Sequence, residues 1–551
     1  MGIILGNKGD YDGALEYYNK SLDIFESLGA EKVVKEVKER INNVYNKMKE
    51  VYVEAEISTK LAEDRQLRVP KAKLVTVETK LVFIKSSKQM FKSDQKNLEA
   101  FELYHQALDC EKNGEYHEAI ELCKKSYELS PKYNEPLCSL GQIYETLGKW
   151  DIALDYYNKA ANVAKSKQDM NSLALISINI GQLYETLEKE KEAIKYYNRA
   201  RILAKELGNI YTLAKAYNVI GLWYSTWKLD NKVALQYLLK AENIFEKEGN
   251  KDDLSMIYNN IGLVYTDLYE FDKADDYFSK SFELLKELED KNGLMVYYWN
   301  MGDLCYAKGK YKEAIKAYQE SLKLAEQLDS VGDIIGLQVD IADVYVEKGE
   351  YVDALNWYLK ALEFYKSKGL KYGSAYIYDY IGYVYAKMDD FDNAFKNVDI
   401  AMDLYKDLND KDGISECYVT KGVIYSYMKD FNNALKFYEL ALKESKANKN
   451  PEYENYQIYS NIGETYYYKG DYDNALLFLN KALKLTEKTK DKSFQAWLYQ
   501  YIGLTYEKQG LKTKAAEYLN KAKDYIYEMG VERAREYQEG LEKLEELKRE
   551  I

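Results

Sequence analysis

Proline is scarce in this chain, at four residues in 551, and histidine is scarcer, at two. So few prolines leave no room for Pro-rich linkers, and with 46% apolar and 31% charged residues the composition favours helices. Histidine stands only at His105 and His117, which excludes a histidine-based catalytic triad. Cys110, Cys123, Cys138, Cys305 and Cys417 are odd in number and unpaired in spacing, so they imply no disulfide framework and fit a reducing compartment. No run approaches the roughly 18 to 20 apolar residues of a membrane span. The opening MGIILGNKGDY lacks a basic region followed by an apolar core, and Gly6 breaks the myristoylation pattern. Positive charge is in deficit too: 78 Lys and Arg against 91 Asp and Glu give a formal charge of -13, which repels a phosphate backbone. The phosphate-loop, dinucleotide, CxxC and HxxxH patterns are all missing, so no cofactor, metal or catalytic role is expected. The expectation is a soluble, cytoplasmic protein whose partner is a protein or peptide, possibly basic, with no nucleic acid and no membrane. Oligomeric state is not legible.

What is abundant is tyrosine, at 57 residues. A phenol is a large hydrophobe with one polar tip, suited to lying half buried between packed helices with its hydroxyl turned outward. Aligning the chain on "KGDYDNALLFLNKAL" finds an alanine at 14, 119, 153, 193, 234, 274, 314, 354, 394, 434, 475 and 515, spaced by 40 or 41 residues from Ala153 onward. Twelve or thirteen residues before these stands a glycine (141, 181, 221, 262, 302, 382, 422, 463, 503) or, in two units, Ala107 or Ala342. A tyrosine follows three residues later in nearly every unit, from Tyr144 to Tyr506. The small residues mark places where two helices cross too closely for a larger side chain, with the aromatic filling space one turn on. Pairs such as Gly349-Glu350 and Gly470-Asp471 supply a left-handed C-cap and then an N-cap. Each unit is thus a helix-turn-helix whose apolar face is buried only by stacking on its neighbours.

The small-x2-Tyr…Ala-x3-Tyr/Phe-x2-Ala pattern over residues 101 to 525 resembles the tetratricopeptide repeat (TPR), which implies an all-α, right-handed superhelical solenoid. Only the step from Ala119 to Ala153 has the usual 34-residue length. The longer units resemble the extended repeats of kinesin light chains, Pins-type scaffolds and bacterial Rap regulators, families whose repeats bind peptides or protein domains along a concave groove.

The domain reading is truncated and degenerate units over 1–64, a basic irregular segment over 65–97, a solenoid of about ten units over 98–530, and a C-terminal capping helix over 531–551. Segment 65–97 holds nine basic residues against Glu78 and Asp94, and reads either as a linker or as an arm docking in an acidic groove.

The resemblance implies that the first helix of each unit lines the groove, with the residue two before the small one facing inward. That row reads Ser139, Asn179, Val219 (beside Asn218), Asn260, Asn300, Asp340, Tyr380, Thr420, Asn461 and Tyr501. The residue after the small one adds Gln142, Gln182, Asp303, Asp343, Tyr383 and Glu464. A column of asparagines suits the main chain of an extended peptide, or else bonds to a neighbouring helix. In the middle, Asp303, Asp340, Asp343, Glu347 and Asp379 gather with Trp299, Tyr306, Tyr376, Tyr380 and Tyr383, a mixture that suits a Lys- or Arg-bearing segment, against the alternative of plain surface acidity. The carboxylate clamp of chaperone-binding repeats is absent, because its positions carry Cys138, Gln142, Ile178 and Gln182. Two readings of function stay open, a scaffold gathering partners along one groove and a peptide-responsive regulator of an effector. A third is the repeat part of a longer signalling protein or enzyme.

Overall fold

The computed structural model describes residues 95–550 apart from 113–114, 148, 188, 329, 368, 446–450, 490–491 and 530–536. The degenerate units and nearly all of the basic segment expected before residue 98 lie outside these. All of the described secondary structure is helical, and twenty-two of the twenty-three described helices form eleven antiparallel-type pairs. The first four pairs are α1 (Gln95–Lys112) with α2 (Tyr116–Leu129), α3 (Glu135–Thr146) with α4 (Trp150–Ser166), α5 (Met170–Thr186) with α6 (Glu190–Glu206), and α7 (Ile210–Lys228) with α8 (Asn231–Glu248). Next come α9 (Lys251–Asp267) with α10 (Phe271–Glu287), α11 (Lys291–Ala307) with α12 (Tyr311–Gln327), α13 (Val331–Glu347) with α14 (Tyr351–Ser367), and α15 (Lys371–Lys387) with α16 (Phe391–Asp407). The series closes with α17 (Lys411–Tyr427) and α18 (Phe431–Ser445), α19 (Pro451–Lys469) and α20 (Tyr472–Thr489), α21 (Lys492–Lys508) and α22 (Lys512–Met529). A last helix, α23 (Gln538–Glu550), packs on α21 and α22 and buries Leu544 and Leu547.

The turns follow from local chemistry. Between several units a residue in the left-handed region precedes an Asp or Asn whose side chain caps the next first helix, whereas Ser330 and Leu370 hold the N-cap place without a side-chain cap. Asn209 accepts from the Thr212 amide at 3.0 Å, and Asp290 from the Gly293 amide at 3.0 Å. Within units the reversal is equally short, and Gly349 and Gly470, at φ 75° and 83°, occupy conformations that cost a side chain energy. The expected N-cap of the second helix forms at Asp230, Asp390, Asp430 and Asp471, while Lys149, Lys189 and Lys310 hold the same place without capping the helix through their side chains.

Inside each pair the second helix lays a large side chain over the small residue of the first. A Cβ placed on Gly302 would stand 2.3 Å from the Tyr318 ring, and one on Gly181 would stand 2.4 Å from Tyr197. Phe278, Leu238 and Val398 do the same over Gly262, Gly221 and Gly382. Small residues seven after the repeat alanine then bring the backbones together, and Ser281 and Ser321 donate to the Ser255 and Met295 carbonyls of the partner helix at 2.8 and 2.7 Å.

Stacking between pairs is asymmetric. First helices pack on the next first helix, as α7 does on α9 and α15 on α17, whereas among the described residues no successive second helices pack to that extent. The first helices therefore line the inner side of the stack. One contact reaches further along the chain: Tyr269, in the turn between α9 and α10, lies against the cluster of Ala496, Ala522, Ile526 and Tyr537.

Replacing Gly302 by alanine tests the close approach. Overpacking against Tyr318 should cost about 1–3 kcal/mol, outweighing the gain in helix propensity of about 1 kcal/mol. Gly332→Ala, where a Cβ meets nothing within 4 Å, should instead stabilise. Urea unfolding followed by circular dichroism reads both signs.

Candidate functional site

The inner side carries carboxylates tied to aromatic donors. Tyr157, Tyr197, Tyr318 and Tyr358 pass over residues 141, 181, 302 and 342 of the first helix, and their hydroxyls donate to Glu145 (2.8 Å), Glu185, Asp303 (2.6 Å) and Asp343. In each case the tyrosine stands sixteen residues after the small residue, and the acid one or four after it. Where Leu238, Phe278 or Val398 replaces the tyrosine, the same two positions of the first helix carry no acid, but Leu479 and Leu519 stand in units that keep Glu464 and Glu507, and Tyr438 stands in one that has none. The ring thus fills the gap between helices and its hydroxyl meets the carboxylate on the far side. Farther along, Tyr501 donates to Glu464 at 2.6 Å.

Indoles and a hydroxyl add lateral bonds between units. Trp299 Nε1 donates to Asp340 Oδ2 at 2.7 Å, Trp227 Nε1 to Glu185 at 3.0 Å, and Thr420 Oγ1 to Asp379 at 2.8 Å. Tyr380 packs against the Tyr376 and Tyr358 rings at 4.6 and 5.8 Å, and Tyr383 lies beneath Lys387 at 5.4 Å.

The asparagine column departs from expectation. Asn218, Asn260 and Asn300 are fully buried, Asn260 Nδ2 donating to Asn218 Oδ1 at 3.0 Å, and Asn179 is almost as deep. Trp299 is fully buried as well. The cause is the packing of successive first helices, which brings Asn179, Asn260 and Asn300, two before the small residue, and Asn218, three before it, into the seam between them. As they stand, these side chains offer no surface to a ligand. Asp303, Asp340, Asp343, Tyr380, Tyr383 and Asn461 are half-buried and keep accessible surface, and Asp379 is deeper, at 9% exposure. Glu145, Glu185 and Asp267 were not singled out from sequence, although the tyrosine sixteen residues past the small residue marks the first two.

Burial dominates the electrostatics. It pushes Asp343 and Glu145 up to about 7 and Asp379 and Asp267 up to about 6, against the partial relief of their hydrogen bonds. Asp340 is held well above the usual carboxylate range by burial and by the Asp303 and Asp343 charges, and Asp303, Glu185 and Glu464 rise through burial too. Among the described residues no Lys or Arg lies within ion-pair distance of Asp303, Asp340, Asp343, Asp379 or Glu464, whereas lysines elsewhere pair with exposed acids, as Lys159 does with Asp155 and Lys280 with Asp276. Among the described residues, metal-ligating geometry is confined to Cys110, Glu115 and Glu118, whose ligand atoms lie within 4.8 Å of one another. Desolvation and the two glutamates push that thiol up, away from the thiolate that binds metals.

Models of the tetratricopeptide repeat match residues 99–166, 253–327, 373–443 and 455–525, and a second model of the same repeat matches 1–27 and 176–200. The chain belongs to the tetratricopeptide-repeat family. TPR units form protein-protein interaction modules, and the paired helices described above are such units. No curated protein matches the sequence. Among solved structures, the TPR chain is similar to a STAND protein with a tetratricopeptide-repeat sensor from Pyrococcus horikoshii, at 18% identity and TM-score 0.45 over 72% of this chain. It spans 55% of the length of that protein. It is also similar to a Rap protein complexed with competence and sporulation factor, at 13% identity and TM-score 0.46, covering 66% of this chain and 99% of the other. Among the described residues no helix is long and apolar enough to cross a membrane.

Carboxylates raised in the native state bind more protons there than in the unfolded chain, so their contribution is fully present below about pH 4 and is lost as pH rises through 6 to 7. The thermal midpoint should therefore fall from pH 5 to pH 8, and Asp343→Asn should flatten that slope. Circular dichroism melts at constant ionic strength measure it.

Proposed function

We propose that this TPR protein is an interaction scaffold that holds an extended, basic segment of a protein partner against the inner side of its first helices, centred on Asp303, Asp340 and Asp343. The observation that carries the reading is the group of half-buried carboxylates with no described lysine or arginine in ion-pair distance, set near the rings of Tyr318, Tyr358, Tyr376 and Tyr380. A lysine or arginine placed there gains charge-assisted hydrogen bonds and contact with aromatic faces, each worth on the order of 0.5 to 2 kcal/mol when partly desolvated. The net charge of -13 adds long-range attraction for a basic partner.

The buried asparagines change the part assigned to main-chain contacts. The row open to a partner is the acidic and tyrosine row, with Asn461 toward the C-terminal end, so recognition rests on side chains more than on a polar ladder. The role is binding and not catalysis, since the central acidic group is bonded to phenols and an indole, groups suited to holding a ligand in place.

Capture from the native cell extract, with bound proteins identified by mass spectrometry, tests this. The Asp303→Asn, Asp340→Asn, Asp343→Asn triple variant should lose a partner that the wild type retains, at unchanged helicity. Identical lists from the two proteins would sink the central-groove reading.

A further inference from the structure

The turn between α9 and α10 carries a side chain unlike those of its counterparts. Where these within-pair turns pass through the left-handed region stand Gly309, Gly349, Gly470 and Gly510, at φ 73°, 75°, 83° and 77°, and in the fifth pair Tyr269, at φ 59°. Glycine adopts that conformation without penalty, whereas a residue with a Cβ is strained there, so a tyrosine is a costly choice for the turn alone. Leu229, Asp389 and Lys429 make the same reversal, so the backbone does not call for an aromatic. Within its own pair the Tyr269 ring meets only Phe271 among the rings, edge-on at 6.0 Å.

The ring also reaches six pairs further along the chain. It is half-buried and packs against the cluster of Ala496 on α21, Ala522 and Ile526 on α22, and Tyr537 just before α23. These four are exposed by 3% or less. Their seat is tied together from within the last pair: the Tyr537 hydroxyl donates to the Ser493 carbonyl at 3.1 Å, and the Tyr499 and Tyr525 rings, which pack on the same cluster, lie 5.5 Å apart. Among the described residues α9 and α10 do not pack helix on helix against α21, α22 or α23, so a side chain makes the junction. The two ends of this contact bracket the acidic row. Asp303 on α11, Asp340 and Asp343 on α13, and Glu464 on α19 all stand on first helices between the fifth and eleventh pairs. When the turn of the fifth pair touches the eleventh, the stack between them returns upon itself and its inner side is bounded all round.

We propose that Tyr269 is a clasp that shuts the stack between the fifth and eleventh pairs, and that the solenoid opens and closes at this contact. One ring on an apolar seat favours the shut form by roughly ten-fold, enough to make it the resting state and too little to make it permanent. Shut, the stack admits an extended segment end-on along its inner side; open, it admits one laid in from the side. That consequence rests on the reading of the inner acidic row as the partner-binding surface, whereas the clasp itself does not.

Tyr269→Gly in the full chain tests the clasp, because it removes the ring and relieves the backbone together. A tyrosine that serves the turn alone predicts a variant at least as stable as the wild type and otherwise unchanged. The clasp predicts a larger maximum dimension by small-angle X-ray scattering and several-fold faster amide hydrogen exchange over residues 493–499 and 522–527, remote in sequence from the substitution. Tyr269→Asp, which copies the residue of the 389 turn, should repeat both changes, and circular dichroism shows whether each variant is folded. Lys429→Gly, at the same place in another turn, should alter neither reading. Unchanged scattering or unchanged exchange in the folded Tyr269 variants would overturn the clasp, as would the same opening in Lys429→Gly. These variants leave Asp303, Asp340 and Asp343 intact, so failure of the clasp leaves the scaffold reading to partner capture, and failure of capture leaves the clasp.

Discussion

The approach of a large side chain to the backbone of a residue with little or no side chain, repeated from Gly141 to Gly503, sets the separation of the paired helices. The rest of the fold is arranged around that separation. At this distance a tyrosine from the second helix spans the pair, and its hydroxyl emerges where the first helix can supply an acceptor. The same contact that closes the core therefore places a carboxylate on the inner side in a fixed orientation. Exchange of the tyrosine for Leu238, Phe278 or Val398 keeps the packing, and in those units the acid is missing as well, whereas the Leu479 unit keeps Glu464 and bonds it to Tyr501 of the next unit.

The seam between units works differently. Within a pair, apolar side chains dominate and the helices are held along most of their length. Between successive first helices polar joints recur among the apolar contacts, such as Asn218 with Asn260, Trp299 with Asp340, and Thr420 with Asp379. A seam of this kind tolerates a change in spacing from one unit to the next: α15 and α17 approach closely, whereas α7 and α9 touch more sparsely. Buried hydrogen bonds of this sort contribute modest net stability yet are costly when left unmade, which favours discrete arrangements of neighbouring units.

The repeat was legible in the sequence because its marks are steric. A glycine at 302 and an alanine at 314 have no cheap substitutes, and their spacing survives every change on the surface. The turn chemistry at Gly349 and Gly470 was legible for a similar reason, since backbone conformation there restricts the residue. The central acidic group, Asp303, Asp340 and Asp343, was found from its position in the repeat. What position alone did not give was depth. Asn260 and Asn300 occupy the same register as Asp340, but how far a residue sinks into the seam depends on how closely two neighbouring units approach, and that is decided by side chains 40 residues apart. Glu145 and Glu185 were missed because their significance lies in a tyrosine on the opposite helix and not in their own surroundings along the chain.

Packing in this molecule is chiefly between helices one or two places apart in the chain. A unit of 40 residues can therefore complete most of its contacts once its neighbour has been made, without waiting for distant segments. At roughly 5 to 20 residues per second of synthesis, each unit leaves the ribosome about 2 to 8 s after the one before it, far longer than a helix pair needs to form. The stack is built in the order in which it is translated, and the apolar face awaiting cover at any moment is that of a single unit.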